Sequence, residues 1–239
     1  KKESLYKRYI ASMLGTDVKF MVYPKKEIDS ISSALRMAIG DRSAAMKKEQ
    51  QDFYLKVNKT SGKSKMERAY EDGIIVKGRV VSTNKSTCFV DVYGKQVQIP
   101  KKEMSWRYVA NVGDVVRNND IVNVKITDLA VNHETGEIDM QASLRAAQEN
   151  VVKNNMKLYS EGTITLGVVT GISNGYWIQV GDTETGIDVY CKKINCMELP
   201  EVGDTVGVTL FKMDYENGMT FGSVENIVRR ANRWGSVAA

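Results

Sequence analysis

The feature that most constrains the fold is a series of short segments, from residue 74 onward, in which apolar and polar residues alternate. Alternation with a period of two predicts β-strands with one buried and one exposed face, and the Asn, Gly, Asp and Lys residues between the segments predict turns. The first five predicted strands are Ile74–Ser82, Thr87–Val92, Gln96–Pro100, Ile121–Leu129 and Glu137–Gln141. The next five are Thr163–Ile172, Tyr176–Val180, Gly186–Tyr190, Thr205–Met213 and Met219–Gly222. Two such sets predict a mainly β protein with two small barrels or sandwiches.

The two sets share one order of features, which predicts an internal repeat. In each, a glycine opens a strand that is followed by a turn, an aromatic residue and a further strand: GRVVSTNKSTCFVDV at 78–92 and GVVTGISNGYWIQV at 167–180. The segment GTDVKFMVY at 15–23 is similar to the later part of the unit, at 118–129 and 202–214. Residues 1–70 are therefore predicted to hold the end of a degenerate unit, the alternative being a chance recurrence of short alternations.

The remaining segments predict helices, two isolated strands and a linker. The predicted helices are Leu5–Leu14, a helix from Ser43 to Val57 with Ser43 as its cap, Ser143–Leu158, and a basic C-terminal helix Glu225–Arg233. The isolated strands are Val18–Val22 and Ala34–Ile39, and the polar stretch Asn58–Lys65 is predicted to be a linker. The chain is thus divided into a basic α+β segment at 1–70, a β unit at 71–150 and a second, diverged β unit with a C-terminal helix at 151–239.

The positive charge is concentrated in the first of these regions. The net charge is +5, but residues 1–70 alone carry 16 Lys and Arg against 8 Asp and Glu, a net charge of +8, and the rest of the chain is slightly acidic. A basic region attracts an anionic partner such as nucleic acid. The alternative is an ordinary solvated surface of mixed charge.

Motifs for catalysis, metal binding and membrane insertion are missing from the sequence. One histidine and three cysteines exclude His-rich metal sites and a disulfide framework, and Cys191 and Cys196 lack further ligands. The SGKS segment at 61–64 has Val57 where a phosphate loop needs glycine. No apolar run is long enough to span a membrane, and the N-terminus is not a signal peptide. We predict a non-catalytic protein without cofactor or metal, in a reducing compartment such as the cytoplasm.

The middle unit resembles the RNA-binding module of bacterial ribosomal protein S1, a five-stranded barrel of the OB type. The matching segments are KGRVV at 77–81, CFVDVYG at 88–94, QIPKKEMSW at 98–106, VNVKITDL at 122–129 and GEIDMQAS at 136–143. The third unit is similar in spacing only. This resemblance implies tandem S1-like OB barrels that bind single-stranded RNA by stacking bases on aromatic side chains and by contacting phosphates with basic ones.

Carried over by position, the resemblance implies a set of RNA-binding residues. Phe89 takes the strand-2 aromatic position, while Ser86 and Gln98 stand at the other two stacking positions of the family. Strand alternation places Phe89, Asp91 and Tyr93 on the outer face and makes Phe89 and Tyr93 a stacking platform. In the last unit Trp177 matches Phe89, with Tyr176 and Tyr190 beside it and Asn174 and Asp188 at the other positions. The expected phosphate contacts are Lys95, Lys101, Lys102 and Arg107, together with Lys59, Lys63 and Lys65 of the linker.

Two functions from different classes remain open. The first is a ribosome- or RNA-associated protein that binds single-stranded RNA. The second is a scaffold that reuses the barrels for protein contacts in a larger assembly such as a virus particle, because a fold alone does not determine function.

Overall fold

The computed structural model describes residues 17–22, 40–182 and 184–231. These residues form two compact units. The first unit holds the described residues up to Met104 together with Asn111–Ala147, and the second holds Ser105–Ala110 and the described residues from Gln148 onward. The predicted domain boundaries remain a prediction. None of the described helices is long and apolar enough to cross a membrane.

The first unit begins with a short sheet and two helices. Strands β1 (Met21–Val22) and β2 (Gly40–Asp41) pair antiparallel. Helix α1 (Arg42–Gln50) continues into one π-helical turn (Gln51–Leu55), and α2 (Lys65–Glu71) follows. Tyr54 of the π turn is fully buried, and its hydroxyl donates to the Val92 carbonyl at 2.7 Å. This hydrogen bond ties the helical part of the unit to its sheet.

Five antiparallel strands complete the first unit. They are β3 (Ile75–Thr83), β4 (Thr87–Val92), β5 (Lys95–Pro100), β6 (Ile121–Val131) and β7 (Ile138–Ser143), hydrogen-bonded in the order β5-β4-β3-β6-β7. Short 3-10 turns lie at Lys101–Glu103, Val112–Asp114 and Arg145–Ala147. The core side chains Val80, Val90, Val92, Ile99 and Val124 have no exposed surface. They supply the apolar half of the alternation seen in the sequence.

The second unit is a closed barrel of five strands. After α3 (Val151–Asn155) and a 3-10 turn (Met156–Leu158) come β8 (Ile164–Ile172), β9 (Tyr176–Val180), β10 (Ile187–Ile194), β11 (Thr205–Asp214) and β12 (Met219–Arg229). The strand order around the barrel is β10-β12-β11-β8-β9, and only β10 and β12 pair in parallel. The ten strands predicted in the two sets are all present, and the mainly β fold with two five-stranded, OB-type barrels is confirmed.

The first strand of each barrel contains a glycine that lies close to a side chain of the next strand. A Cβ added at Gly78 would lie 2.4 Å from Val90 Cγ1, and one added at Gly167 would lie 2.5 Å from Ile178 Cγ2. Only glycine therefore lets β3 approach β4, and β8 approach β9, this closely. The opening glycine of the repeat has a steric reason in both copies.

The predicted helix from Ser43 to Val57 needs correction at both ends. Helix α1 starts at Arg42, and its N-cap is Asp41, whose carboxylate accepts the Ala44 N–H at 3.0 Å. Asp41, two residues before Ser43, takes the cap position because its side chain reaches the free N–H groups of the first turn. Beyond Gln50 the helix widens into the π turn and ends at Leu55.

The predicted linker is wrong over its last part. The loop at 58–63 is closed by a hydrogen bond from the Gly62 N–H to the Asn58 carbonyl at 2.9 Å. Ser64 then caps α2 through a reciprocal capping box with Glu67. The local signal for α2 was the Ser-x-x-Glu spacing, which the polar composition of the stretch concealed.

Two further helix predictions are wrong. Residues 143–158 do not form one helix, because β7 extends to Ser143 and Asn150 caps a new start for α3. The predicted helix Glu225–Arg233 is strand as far as Arg229, since β12 continues its pairing with β11 to the Arg229–Thr205 pair. Tertiary pairing overrides local helix propensity at this end. The predicted Leu5–Leu14 helix and Ala34–Ile39 strand lie outside the described residues.

Candidate nucleic-acid interface

Phe89 lies at the centre of an outward-facing row of the first barrel. Its backbone pairs with Ser82 of β3 on one side and with Gln98 of β5 on the other. Cys88 and Val90 point into the core and have no exposed surface, whereas Phe89 is half-buried. The alternation expected along β4 is therefore present. The Phe89 ring has small or polar neighbours on both flanking strands, which leaves room beside it.

The neighbouring row is occupied by side chains of the same unit. Arg79 of β3 stands opposite Asp91 of β4. The Arg79 guanidinium donates to Asn119 Oδ1 at 2.6 Å and to Asp17 Oδ2 at 3.0 Å, and its hydrogen bond lowers the pKa of Asp17. Burial raises the pKa of Asp91. Arg79 thus already has partners for its charge, and the open part of the face is the Phe89 row.

Tyr93 does not extend that row, contrary to the predicted platform. Strand β4 ends at Val92, and Tyr93 lies in the following turn with a φ of 48°. Its ring stacks on Phe53 of the π turn, with centroids 4.0 Å apart and planes 15° from parallel. One face of Tyr93 is covered by Phe53, so Phe89 and Tyr93 are not a pair of adjacent open rings. Phe53 was not among the site residues predicted from the sequence.

The lysines around β5 have different surroundings. The Lys95 ammonium donates to the Ile138 carbonyl of β7, which is a contact within the barrel. Lys101 is half-buried, and its N–H donates to the Ser86 carbonyl at 2.8 Å. Lys102 is exposed in the 3-10 turn that follows β5. Of the three, Lys102 has the most accessible charge.

The predicted linker lysines also differ. Lys59 is exposed in the loop, and Lys63 forms an ion pair with Glu71. The Lys65 ammonium lies 4.8 Å from the centroid of the Phe53 ring, a cation–π distance. Lys63 and Lys65 line one cavity, which Lys59 does not line.

Arg107 belongs to the second unit, whereas Lys101 and Lys102, with which it was grouped, belong to the first. Its guanidinium donates to the Gly186 carbonyl at 2.9 Å. The same segment, Ser105–Ala110, is anchored by Trp106, which packs against the core of the second barrel and donates to the Gln148 carbonyl. The Arg107 guanidinium thus already donates a hydrogen bond within the protein.

Trp177 lies at the centre of an outward-facing aromatic row in the second barrel. It pairs across the strands with Gly171 of β8 and Tyr190 of β10, and Tyr190 pairs with Phe221 of β12. The Trp177 and Tyr190 centroids are 5.1 Å apart, and those of Tyr190 and Phe221 are 6.4 Å apart. Phe221 was missed in the sequence analysis, although its alternation within MTFGS places it on the outer face. Tyr176 instead packs against the core, so the structure does not group it with Trp177 and Tyr190.

The outer face of Trp177 is covered by Tyr108. The two rings stack with centroids 4.6 Å apart and planes 13° from parallel. Gly171 makes room for Tyr108, because a Cβ there would lie 2.4 Å from the tyrosine ring. The Tyr108 N–H donates to Asp188 Oδ2 at 2.6 Å, and burial raises the pKa of Asp188. Asp188, which would repel RNA at this position, thus holds the segment that covers the tryptophan.

No group of His, Cys, Asp and Glu side chains that could hold a metal ion occurs among the described residues. The two fully buried thiols are shielded from solvent, and burial raises the pKa of both Cys88 and Cys191 to about 12. Their environment is that of core side chains and not of reactive thiolates.

Comparison with known proteins gives a family for the first barrel. Residues 69–142 match the family model described as the S1 RNA binding domain. The chain is 26% identical over 170 residues to the small ribosomal subunit protein bS1 of Mycolicibacterium smegmatis, with 68% of this chain and 34% of that protein covered. It is 28% identical over 153 residues to the bS1 protein of Mycobacterium tuberculosis, with 61% and 31% covered. The matches span about a third of the length of these relatives.

Among solved structures, the crystal structure of an a/eIF2alpha–aDim2p–rRNA complex from Pyrococcus horikoshii matches with a TM-score of 0.27 at 20% identity. The match covers 36% of this chain and 58% of that chain. The family match begins just before β3 and ends within β7, so it coincides with the five strands of the first barrel. The first barrel of this chain is an S1 RNA-binding domain of the OB fold.

Proposed function

We propose that this protein is a non-catalytic binder of single-stranded RNA that uses the Phe89 row of its S1 domain. The single observation that carries this proposal is the position of Phe89, a half-buried aromatic ring on the outer face of β4 between Ser82 and Gln98. A base stacked on one such ring contributes about 1–3 kcal/mol, largely independent of base identity. Lys102, exposed at the end of β5, supplies positive charge for a phosphate.

The second barrel contributes less to this binding. Its Trp177 ring is covered by Tyr108, and Asp188 lies on the same face. A base would have to displace Tyr108 before it stacked on Trp177. The first barrel is therefore the primary RNA-binding unit in this proposal.

Ribosome association in the cytoplasm is part of the same proposal. It is supported by the relatives, which are small ribosomal subunit proteins, and these favour a ribosome over a virus particle. Cosedimentation of the protein with small ribosomal subunits is the expected result. If all of the protein sedimented separately from the subunits at low salt, the result would contradict ribosome association.

The RNA-binding proposal is tested by titrating a labelled oligouridine with the wild-type protein and with Phe89→Ala. Loss of stacking should weaken binding by about 1–3 kcal/mol, and the half-buried position should keep the change in stability small. Phe211→Ala is the matched control, because Phe211 is an exposed aromatic residue on β11 of the other barrel. Equal affinities of the two variants would exclude Phe89 from the site.

A second candidate function, a scaffold for protein contacts, is favoured by one observation on the second barrel. Ile164, Leu166 and Val168 alternate along the outer face of β8, with exposed fractions of 73%, 56% and 42%. Exposed apolar stripes of this kind occur at protein interfaces. A scaffold would self-associate or bind a protein without RNA, and Leu166→Glu would abolish that association while leaving RNA affinity unchanged.

A further inference from the structure

A basic cavity lies outside the S1 domain, where the π turn, the loop at 58–63 and helix α2 meet. It has a volume of about 510 Å³, and the residues that line it and bear on its chemistry are Asp52, Phe53, Lys56, Lys63, Lys65 and Arg68. Four of these side chains are cationic and one is anionic. The cavity precedes residue 69, where the family match begins, so the family does not account for it.

The backbone around the cavity is well anchored. The Asn58 N–H donates to the Lys63 carbonyl at 3.0 Å, and the Gly62 N–H donates back to the Asn58 carbonyl. The Asn58 side chain accepts the Thr60 N–H at 2.9 Å. Immediately afterwards, the capping box of Ser64 starts helix α2. The lysines on this loop and helix are therefore presented from a preformed backbone, which lowers the entropic cost of binding.

The four cationic side chains of the cavity differ in their partners. Lys63 pairs with Glu71, and Lys65 lies over the Phe53 ring. The side chains of Lys56 and Arg68 form no ion pair or hydrogen bond with any part of the chain that the structure describes. Like charges brought together repel each other, and an anion bound between them removes that repulsion.

The surroundings of Phe53 define the class of anion. Tyr93 stacks on its ring, and the Lys65 ammonium lies 4.8 Å from the ring centroid. A nucleobase would have to compete with both of these contacts. The cavity thus offers ammonium and guanidinium groups and no open stacking surface, which suits a phosphate and not a base.

We propose that this cavity binds a backbone phosphate of the same RNA strand and extends the RNA footprint beyond the S1 domain. The inference rests on the proposed RNA-binding function. It includes Lys63 and Lys65 among the contacts, adds Lys56 and Arg68, and leaves out Lys59. Recognition here is independent of base sequence, because only phosphate oxygens are contacted.

The test compares Lys56→Gln/Arg68→Gln with a charge-matched control, Lys153→Gln/Lys157→Gln. Both double variants lower the net charge by two, and the control lysines are exposed in the second unit, Lys153 in α3 and Lys157 in the 3-10 turn that follows it. Binding of a 16-nucleotide and a four-nucleotide oligouridine is measured over a range of salt. Each lost single-strand phosphate contact flattens the slope of log K against log salt by about 0.7, so the cavity variant should lose about 1.4 with the longer RNA.

The control variant should lose little of the salt slope. The four-nucleotide RNA, bound at Phe89, should bind the cavity variant as tightly as the wild type. If both double variants lost the same amount of this slope, the effect would come from overall charge, and the proposal would be overturned.

Inorganic tripolyphosphate provides a readout that does not depend on Phe89. It should raise the Tm of the wild type and the control but not of the cavity variant. If RNA fails to bind the wild type, the proposed function falls, and an equal Tm shift in all three proteins would overturn the phosphate site as well.

Discussion

Tyr108 stacks on Trp177 with ring centroids 4.6 Å apart. Trp177 matches Phe89 in the repeat, and both side chains are half-buried, but Trp177 stacks on Tyr108 whereas Phe89 stacks on no ring among the described residues. The segment 105–110 that carries Tyr108 lies between β5 and β6 in the sequence, yet it packs with the second unit. Two barrels with the same strand pattern thus differ in the ring contacts of their outer aromatic residue.

The Tyr108–Trp177 stack should be measurable as a coupling energy in the second unit. In a double-mutant cycle with Tyr108→Ala and Trp177→Ala, we expect the combined loss of unfolding free energy to be smaller than the sum of the single losses by about 0.5–1.5 kcal/mol. Denaturant unfolding of the four proteins provides the values. A cycle that pairs Tyr108→Ala with Phe211→Ala serves as control and should be additive. Additivity in both cycles would show that the stack contributes nothing of its own.

The second barrel should lose stability at acid pH through Asp204. This carboxylate is fully buried, accepts the Ala231 N–H at 2.9 Å and pairs with Arg230 at 2.7 Å. Burial by itself would raise its pKa, but the hydrogen bonds from Ala231, Glu201 and Arg230 outweigh burial and lower it. Because the folded pKa lies below the unfolded value near 4, this contribution is complete above pH 4 and is lost as the pH falls through the folded pKa.

Asp204→Asn should therefore cost about 1.5–3 kcal/mol at pH 7, the usual range for hydrogen bonds to a charged group, and should flatten the decline of stability below pH 4. Thermal unfolding between pH 2.5 and 7 measures both effects. Glu216→Gln, at an exposed position in the β11–β12 turn, is the control and should leave the profile unchanged. A wild-type profile that is flat below pH 4 would contradict the assignment.

The opening glycines of the two barrels should resist substitution by alanine. At Gly78 the added methyl would meet Val90, and at Gly167 it would meet Ile178 and the Gln179 carbonyl at 2.8 Å. Overpacking of this kind costs about 1–3 kcal/mol, measured here as the loss in unfolding free energy of the affected unit. Gly113→Ala is the matched control, since a Cβ at Gly113 meets no atom within 4 Å. If alanine at Gly78 or Gly167 lowered the unfolding free energy no more than alanine at Gly113, the steric account would be refuted.

Several features of the fold and the site could be predicted from the order of residues. Period-two alternation identified the ten strands of the two barrels and the outward side of Phe89, because a strand needs only local sequence to define its two faces. The resemblance of 71–150 to the S1 module identified the barrel type. Helix boundaries were less accurate: Asp41 caps α1 in place of Ser43, and pairing with β11 turns the predicted C-terminal helix into the end of β12.

The contacts that distinguish open from covered aromatic residues depend on the folded chain. Phe53 meets Tyr93 across 40 positions and Tyr108 meets Trp177 across 69, so no local pattern contains these pairs. The same is true of the cavity that brings Lys56 and Arg68 together. Alternation specifies which face of a strand a side chain occupies, since that follows from backbone geometry alone. Which other segment then covers that face depends on packing between residues distant in sequence, and this packing exists only once both segments have folded.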